Sequence, residues 1–402
     1  MKKRDWKKVK LGEVLTKPIS GEWGTDPTDR KIGVIRTTNF TNEGKVDLTK
    51  GVAYRDIPET KVEKKQLRKR DVIIEKSGGS PKQPVGRVVF FKEEGTYLCN
   101  NFTSILRAKN DQKLDQKFLF YYLFYIHKVG VTNLYQNKTT GIINLQLTRY
   151  LKEVSIPLPP LSEQKAIAAQ LDRADKVRQA LAQSLKDYDR LLAASFLDMF
   201  GDPTTNIHQF PKGKIRDLVK EVRYGTSQKA SSEGAFEYLR MNNITYSGNW
   251  DFSSLKYIDL TEKDQPKYLI KKGDLVFNRT NSKELVGKTA VYKRDEAVAI
   301  AGYLIRVRTN EKALPEYISA YLNSSHGKQT LQGMCKSIVG MANINAQEMQ
   351  DIKILIPPLS LQQEFAQLVE RIERQKALIQ SAQQSAEDLF GALLQAYFYE
   401  GK

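Results

Sequence analysis

The chain contains two copies of one sequence pattern, placed about 200 residues apart. Four short blocks return in the same order, with offsets that fall from 204 to 198 along the chain: 34–40 with 238–244, 70–74 with 273–277, 85–87 with 286–288, and 156–164 with 354–362. One short match arises by chance, but four matches in register do not. Solenoid repeats are only about 20–50 residues long, so this period indicates a duplicated domain.

Each copy begins with a turn-rich stretch that predicts a mixed α/β domain. Short apolar runs separated by Gly, Asn, Pro and Ser predict strands, and apolar residues at helical spacing predict helices beside them. The predicted strands are 71–75, 87–91, 274–277 and 297–301, and the predicted helices are 114–126 and 315–323.

Each copy ends with one long predicted helix. Two prolines hold the chain extended before each helix, and Ser162 and Ser360 are placed to cap the first turn. Apolar residues then recur every three, four or seven positions, which is the spacing of a coiled coil. We predict that the helices pair through these residues: Ile167, Leu171, Leu181, Leu185, Leu192, Phe365, Val369, Ile372, Ile379 and Phe390. The alternative is that each helix packs only on its own domain.

These elements predict an α+β fold in four segments. The first mixed domain is residues 1–158 and the first long helix is 159–203, ending at Gly201-Asp202-Pro203. The second mixed domain is residues 204–356 and the second long helix is 357–402. The sequence thus predicts two duplicated mixed α/β domains separated by two long helices.

The net charge of the chain favours a polyanionic partner. The sequence has 64 Lys and Arg against 46 Asp and Glu, a net charge of +18, with 40% hydrophobic residues. That composition excludes a disordered chain and a membrane protein, and the charge surplus favours nucleic acid over an acidic protein or a membrane surface. With no apolar signal core and only Cys99 and Cys335 as thiols, we expect a cytoplasmic protein.

The sequence lacks the residue patterns that catalysis requires. The three histidines lie far apart, so we expect no metal site, and no nucleophile pattern occurs. A phosphate-loop-like stretch at 282–289 lacks the leading glycine. Asp71 and Glu75 resemble part of a nuclease triad, but the second copy has Asn278 in place of the glutamate. We therefore expect no catalytic residue and no cofactor in this chain.

Polar and cationic residues at turns are the candidate DNA contacts. Basic residues outnumber acidic ones across 61–92, which suits phosphate neutralisation. Amides pair with adenine and cations with guanine, although Asn and Ser also occur at turns for backbone reasons alone. The candidates are Arg36, Thr38, Asn39, Lys76, Ser77, Ser80, Lys82, Asn100, Asn101, Gln136, Asn137, Lys138, Thr139, Arg240, Asn242, Asn243, Asn278, Arg279, Thr280, Asn281, Lys283, Lys336 and Asn343.

The duplication also predicts the form of the target. Two domains joined by a helical spacer are suited to read two half-sites at a fixed separation on double-stranded DNA. Because the candidate loops differ between the copies, we expect the half-sites to differ, which gives a bipartite and asymmetric target.

The repeated Pro-Pro-Leu-Ser-x-Gln entry at 159–164 and 357–362, the long helices and the Val-Gly-Arg/Lys turns resemble the specificity subunit of type I restriction-modification systems. The resemblance implies two target recognition domains and an antiparallel pairing of the long helices. It also implies two methyltransferase subunits that carry S-adenosylmethionine, and through them restriction and translocase subunits that use ATP and Mg²⁺, in a bacterial or archaeal cytoplasm.

The second copy departs from the repeated pattern at two places. Leu361 stands where the first copy has Glu163, and Ala301-Gly302 replaces Asn100-Asn101, which puts that contact in doubt in the second copy.

Two alternative functions stay open. One alternative function is that of a detached specificity module of a single-chain, type IIG-like restriction-methylation enzyme. The other is a basic coiled-coil scaffold that binds DNA without sequence preference.

Overall fold

The computed structural model describes residues 6–27, 31–81, 83–139, 142–338 and 341–399. The chain divides into two compact units: unit 1 is residues 1–180 with 383–402, and unit 2 is residues 181–382. Each unit combines one mixed domain with part of both long helices. This division into units does not separate the long helices from the domains, so it does not test the four predicted segments. Their boundaries stay predictions.

Among its described residues, the mixed domain of unit 1 has twelve short strands and four α-helices that precede the first long helix. In chain order these are β1 (Lys8–Lys10), α1 (Leu11–Val14), β2 (Ile19–Ser20), β3 (Ile32–Ile35), β4 (Ala53–Arg55), α2 (Glu59–Lys65), β5 (Val72–Glu75), β6 (Ser77–Gly79), β7 (Val88–Phe90), β8 (Tyr97–Cys99), β9 (Thr103–Leu106), α3 (Gln116–Lys128), β10 (Gln136–Thr139), β11 (Ile142–Leu145), α4 (Leu147–Glu153), β12 (Ser155–Pro157) and the long helix α5 (Leu161–Phe200).

The mixed domain of unit 2 repeats this order with small changes. Its elements are β13 (Lys212–Lys214), β14 (Val219–Tyr224), β15 (Phe236–Leu239), β16 (Lys256–Ile258), α6 (Gln265–Tyr268), β17 (Leu269–Ile270), β18 (Leu275–Asn278), β19 (Thr280–Asn281), β20 (Thr289–Val291), β21 (Val298–Ile300), β22 (Leu304–Thr309), α7 (Pro315–Asn323), α8 (Ser325–Met334), β23 (Lys336–Ile338), β24 (Met341–Asn343), α9 (Ala346–Gln350), β25 (Lys353–Leu355) and the long helix α10 (Leu359–Phe398).

The sheets of the two units correspond one to one. Unit 1 has an antiparallel sheet in the order β2-β9-β5-β7, and unit 2 has β14-β22-β18-β20. Each unit also contains one parallel pair, β3 with β8 and β15 with β21. A third sheet is β10-β11-β6 in unit 1 and β19-β24-β23 in unit 2. The predicted duplication of a mixed α/β domain is confirmed.

Helix α3 forms the centre of the unit 1 core. Its sequence is apolar on almost every side, and nine of its residues are buried. The Asp115 carboxylate caps it by accepting from the backbone N–H groups of Lys117 and Phe118, both at 2.9 Å. Both long helices pack on α3, so Leu171 of α5 and Phe390 of α10 belong to the same buried cluster.

The long helices begin before the predicted serine caps. They start at Leu161 and Leu359, so Ser162 and Ser360 lie inside the first turn and the predicted serine caps are wrong. The prolines supply the first acceptors instead, because the Pro160 carbonyl accepts from the Gln164 N–H at 3.0 Å. Helix α5 ends as predicted, with Gly201 at a φ of +72°.

One glutamine in each copy anchors the start of its long helix. The fully buried Gln164 side chain accepts from the Asp115 N–H at 2.9 Å and donates to the carbonyls of Lys113 and Pro159. Gln362 makes the same three contacts in unit 2, with Leu314, Lys312 and Pro357. The repeated Pro-Pro-Leu-Ser-x-Gln motif is therefore a joint between a long helix and its domain.

The long helices pair antiparallel within each unit. In unit 1, Arg178 of α5 contacts Glu387 of α10 at 2.7 Å, and Gln170 contacts Tyr397 further along. In unit 2, Lys376 of α10 contacts Asp189 of α5 at 2.8 Å. Position numbers rise along one helix as they fall along its partner, which confirms the antiparallel pairing that the resemblance implied.

The predicted pairing residues pack more widely than a coiled coil requires. Ile167, Leu171 and Phe390 join the core of unit 1, and Leu192, Phe365 and Val369 pack in or against the core of unit 2. Ile372 is buried, whereas Leu181, Leu185 and Ile379 are half-buried. The helices thus pack on each other and on their domains, so both packing modes considered from the sequence occur together.

Candidate nucleic-acid interface

The loop after β3 and its counterpart after β15 are each held by one asparagine. Asn39 is fully buried, its Oδ1 accepts from the backbone N–H of Arg36 at 3.0 Å, and its Nδ2 donates to carbonyls of the same loop. Asn243 repeats these bonds with the N–H of Arg240 at 2.9 Å. Since their polar atoms are used inside the loop, Asn39 and Asn243 shape it and do not face a base edge.

The arginines that open these loops are half-buried in both units. The Arg36 guanidinium donates to the Gly51 carbonyl at 3.1 Å, and that of Arg240 donates to the Ser254 carbonyl at 3.0 Å. The Nε atom of each is buried and has no hydrogen-bond partner. Both arginines are therefore fixed in place by one end of the guanidinium.

The repeated Val-Gly turn admits only glycine. Gly86 has a φ of +103°, and a Cβ there would lie 2.7 Å from the Thr132 side chain. Gly287 has a φ of +81°, and a Cβ there would lie 2.5 Å from the Leu331 side chain. Left-handed backbone and close approach both require a residue without a Cβ, which explains why the glycine recurs.

The cation after this turn reaches the asparagine-held loop. In unit 1, Arg87 makes two hydrogen bonds to the buried carboxylate of Glu75, at 2.7 and 3.1 Å, and donates to the Thr37 carbonyl at 3.4 Å. In unit 2, Lys288 donates to the Met241 carbonyl at 3.0 Å, and burial lowers the pKa of its ammonium. The two copies thus place different cations against this loop: an arginine paired with a carboxylate in unit 1, and a buried lysine that donates to a backbone carbonyl in unit 2.

The strand counterpart of Glu75 in unit 2 is Asn278. Its side chain is fully buried, its Oδ1 accepts from the Thr280 N–H at 3.3 Å, and its Nδ2 has no hydrogen-bond partner. The predicted contacts Asn278 and Thr280 thus lie below the surface, because they belong to the buried edge between β18 and β19.

Three predicted segments of unit 1 converge on one surface. Strand β6 joins the β10–β11 hairpin in one sheet, where the Ser77 hydroxyl donates to the Asn144 side chain at 2.5 Å. The backbone N–H of Lys76 donates to the Phe102 carbonyl at 2.8 Å, which brings the 100–102 turn alongside. We call the residues at 36–43, 76–80, 100–102, 136–139 and 142–144 the first reading surface.

Unit 2 brings the corresponding segments together. Strand β19 pairs with β24, so Thr280 lies opposite Asn343. The N–H of Arg279 donates to the Tyr303 carbonyl, and its guanidinium lies 4.9 Å from the Tyr224 ring centroid. We call the residues at 240–243, 278–283, 301–303, 336–338 and 341–343 the second reading surface.

The candidates differ in their access to solvent. Thr38, Ser80, Asn101, Asn137, Asn242 and Lys283 are exposed. Arg36, Lys76, Ser77, Gln136, Arg240, Arg279, Asn281 and Asn343 are half-buried, whereas Asn39, Asn100, Asn243, Asn278 and Thr280 are buried. Lys82 lies outside the described residues, as do the side chains of Lys138, Thr139 and Lys336. DNA contact by the exposed and half-buried residues stays a prediction.

A polar cleft of about 630 Å³ opens in the first reading surface. It is lined by the 37–43 loop, by β6 and by the Glu75–Arg87 pair, so it places Thr38 beside residues that sequence reasoning missed: Thr37, Thr41, Asn42 and Gln83. Hydroxyls, amides and carboxylates together offer both donors and acceptors, which suits a base edge better than a phosphate.

An exposed aromatic residue occupies the same turn in both reading surfaces. Phe102 is 42% exposed and Tyr303 is 51% exposed, each directly after the strand that pairs in parallel with β3 or β15. The candidates predicted from the sequence end at Asn100-Asn101, a pair that the second copy lacks. The sequence feature that points to this turn is the aromatic residue directly after Asn101 in the first copy and directly after Gly302 in the second.

Two further observations concern the described part of the chain. No helix in it is long and apolar enough to cross a membrane. In the same ranges, no group of three or more His, Cys, Asp and Glu side chains is arranged to hold a metal ion.

The same scaffold occurs twice, and each copy carries polar, cationic and aromatic side chains on the same face. These features define a protein with two related recognition surfaces. The chain belongs to the type I restriction modification DNA specificity domain family, whose sequence model matches residues 3–187 and 210–387. The two matches fall on the two copies of the repeat.

Relatives in this family share about a quarter of their residues with the chain. The EcoKI specificity subunit of Escherichia coli K12 is 26% identical over 366 residues, which cover 86% of this chain and 76% of the relative. The StySPI specificity subunit of Salmonella potsdam is 25% identical over 368 residues, with the same coverage. These relatives are specificity subunits of type I restriction enzymes.

Solved structures share the fold at low sequence identity. The S subunit of a type I restriction-modification system from M. genitalium matches with a TM-score of 0.59 at 17% identity, covering 100% of this chain and 98% of that one. A chain from a study of assembly and conformational transition in the type I R-M system matches with a TM-score of 0.54 at 18% identity, covering 98% and 97%.

Proposed function

We propose that this chain is the specificity subunit of a type I restriction-modification complex and that it reads a two-part DNA target without catalysing a reaction. The observation that carries the proposal is the division of each domain into a repeated framework and a varied surface. The framework contacts of Asn39, Gly86 and Gln164 recur in the second copy, whereas exposed residues around them change. Each reading surface then contacts one half-site.

The differences between the reading surfaces support unequal half-sites. Asn100-Asn101 is replaced by Ala301-Gly302, and Phe102 by Tyr303. Base edges are distinguished by the donors and acceptors that meet them, so surfaces with different donors select different bases. The target is accordingly asymmetric.

The proposal includes two methyltransferase subunits and, through them, restriction and translocase subunits. Each unit carries a similar seam on the long helices, with Arg178 beside Glu387 in one and Lys376 beside Asp189 in the other. Identical partners are best served by equivalent faces. The partners would supply S-adenosylmethionine, ATP and Mg²⁺, in the cytoplasm where bacterial DNA lies.

The test is expression of this chain with the modification subunits of its own system, followed by mapping of methylated bases across the host genome. We expect a two-part motif with unequal halves that disappears when this chain is omitted. Methylation that persists without the chain, or that follows a single continuous motif, contradicts the proposal. Equal binding to all duplexes would support the basic scaffold instead.

A further inference from the structure

A lysine-lined groove lies beside the first reading surface. Its volume is about 960 Å³, and its walls come from α1, α4 and the strands between them. Leu145, Leu147 and Leu151 form an apolar wall, and one acidic side chain, Glu13, faces four lysines: Lys10, Lys17, Lys76 and Lys152. Of these lysines only Lys76 belongs to the basic stretch at 61–92, so most of this excess of cations is separate from that stretch.

None of these four lysines has a carboxylate within ion-pair distance among the described residues, and the Lys10 ammonium donates to the Glu153 backbone carbonyl at 2.8 Å. Lys17 and Lys152 are exposed. The half-buried Lys76 ammonium donates to the Ser20 hydroxyl at 2.5 Å, and burial lowers the pKa of this ammonium. A cation that has lost water without gaining an anion is stabilised when an anion binds beside it.

The second copy has the same scaffold without this charge. Glu221 stands at the position of Lys17 and is bound by Arg306 and Arg308, at 3.1 and 2.8 Å. Gln350 stands at the position of Lys152. Lys214, the counterpart of Lys10, is paired with Asp351 at 2.9 Å.

The position of Lys76 shows the same change. Its counterpart Arg279 lies over the ring of Tyr224, which itself stands where unit 1 has Ser20. In unit 2 the cation therefore has an aromatic partner inside the protein. The second copy thus has no cation at the positions of Lys17 and Lys152, and its counterparts of Lys10 and Lys76 have partners inside the protein.

We propose that this groove binds the phosphodiester backbone of DNA next to the first half-site. The inference rests on the proposed function, because it makes the groove an extension of the first reading surface through the shared residue Lys76. Flexible lysines neutralise phosphates without selecting bases, so the groove adds affinity and leaves the recognised sequence unchanged. The first domain thus holds DNA by charge more strongly than the second.

The test compares two double variants of the full-length chain in its complex with the modification subunits. Lys17→Gln with Lys152→Gln removes two groove charges, and Lys113→Gln with Lys128→Gln removes two charges from exposed positions of unit 1 that lie outside both the groove and the basic stretch at 61–92. The dissociation constant of a duplex that carries the mapped target is measured over a series of KCl concentrations.

We expect the groove variant to reduce the log-log salt slope by about 0.9 for each phosphate that is no longer neutralised, hence up to about 1.8, and to leave the methylated motif unchanged. The control variant should retain most of the wild-type slope. Equal slopes for the two variants, or a changed motif in the groove variant, would overturn the proposal. Matching thermal unfolding of all three proteins shows that any difference is not misfolding.

Two measurements distinguish this proposal from a failure of the proposed function and from the binding of a free anion in the groove. If the wild-type complex yields no two-part motif, the proposed function fails, whereas a normal motif with an unchanged salt slope counts against the groove alone. Calorimetric titration with inorganic phosphate tests a free anion as the occupant. Phosphate binding that the groove variant loses, with no change in its DNA salt slope, would exclude the DNA backbone.

Discussion

At the scale of single residues, the joint between long helix and domain depends on one buried glutamine. Gln164→Ala removes three hydrogen bonds and leaves buried partners such as the Asp115 N–H without a bond. We expect a loss of about 2–4 kcal/mol in the free energy of unfolding, measured by urea denaturation. Gln183→Ala is the matched control, because that exposed side chain bonds only Asp187 on the same helix, and it should cost less than about 0.5 kcal/mol.

A second residue-scale prediction concerns the exposed aromatic turn. Phe102→Ala should weaken binding of the mapped duplex by roughly tenfold, about 1.4 kcal/mol, because the variant has no ring to pack against a base or a thymine methyl. Base substitutions in the first half-site should then matter less than before. Tyr54→Ala removes a similarly exposed ring away from the reading surface and should bind normally. Equal losses of affinity in both variants would contradict DNA binding by Phe102.

His127 gives the fold a dependence on pH. Burial lowers the pKa of its imidazole to about 4, and its Nδ1 lies 3.0 Å from the Thr132 hydroxyl. The unfolded chain takes up this proton near pH 6.5, so stability is complete above that pH and falls, by at most about 3 kcal/mol, as the pH drops towards 4.

The check is urea denaturation of wild type and His127→Gln between pH 7 and 4. The variant should lose less stability over that interval than wild type does. His208→Gln, at an exposed position, should follow the wild-type curve. Parallel curves for wild type and His127→Gln would rule out this linkage.

Residue roles are readable from the sequence only where the reason is local. The glycine of the Val-Gly turn is recognisable because a left-handed backbone is a property of one residue. The sequence predicts DNA contact for Asn39 and Asn278, since a turn asparagine that bonds its own loop looks like one that faces solvent. Gln164 belongs to the repeated motif, but its partner Lys113 lies 51 positions away, and only the fold brings it there.

At the scale of elements, a polar pair interrupts the apolar seam of the long helices. Arg178 is mostly buried beside Glu387 and Asp175, and its guanidinium lies 4.4 Å from the Phe390 ring centroid. A double-mutant cycle with Arg178→Ala and Glu387→Ala should give a coupling of about 1 kcal/mol in the free energy of unfolding.

The control cycle uses an ion pair on the surface of one helix. Arg374 and Glu370 lie 2.6 Å apart, but both side chains are well exposed, so their coupling should stay at or below about 0.5 kcal/mol. If the two cycles gave the same coupling, the seam pair would be no more than a surface contact.

The sequence predicts the short elements within each domain closely. The helix over 315–323 matches α7 residue for residue, and each predicted strand lies within two residues of an observed one. The predicted serine caps of α5 and α10 are wrong because serine suits a cap by type, whereas the rigid prolines before it fix where the helix begins. The sequence does not show that α5 packs on α3, since a stripe of apolar residues does not identify its partner.

At the scale of the whole molecule, the boundary between the two units crosses each long helix once. The change from one unit to the other falls after Ala180 in α5 and after Ala382 in α10. Seven residues inserted at both points keep the helical phase nearly unchanged and leave the contacts inside each unit intact. We expect both half-site sequences to persist while the number of base pairs between them changes, as read from the methylation map.

The control for this prediction is a paired insertion of two residues, which turns one part of each helix by about 200° relative to the other and should abolish methylation. New bases in either half-site of the seven-residue variant would contradict separate reading by the two domains. The repeat itself indicates two readers, but the points where the units change are not visible in the sequence, because the helical pattern continues through them.

The division at Ala180 and Ala382 also has a consequence for biosynthesis. Unit 1 is assembled from segments at both ends of this sequence, whereas unit 2 is continuous. At about 5–20 residues per second, a ribosome needs roughly 10–40 s to make the intervening segment. Throughout that time α3 lacks the cover of Phe390, Leu394 and Phe398. The domain that is translated first is therefore completed last, and its nascent form exposes this apolar surface until α10 is made.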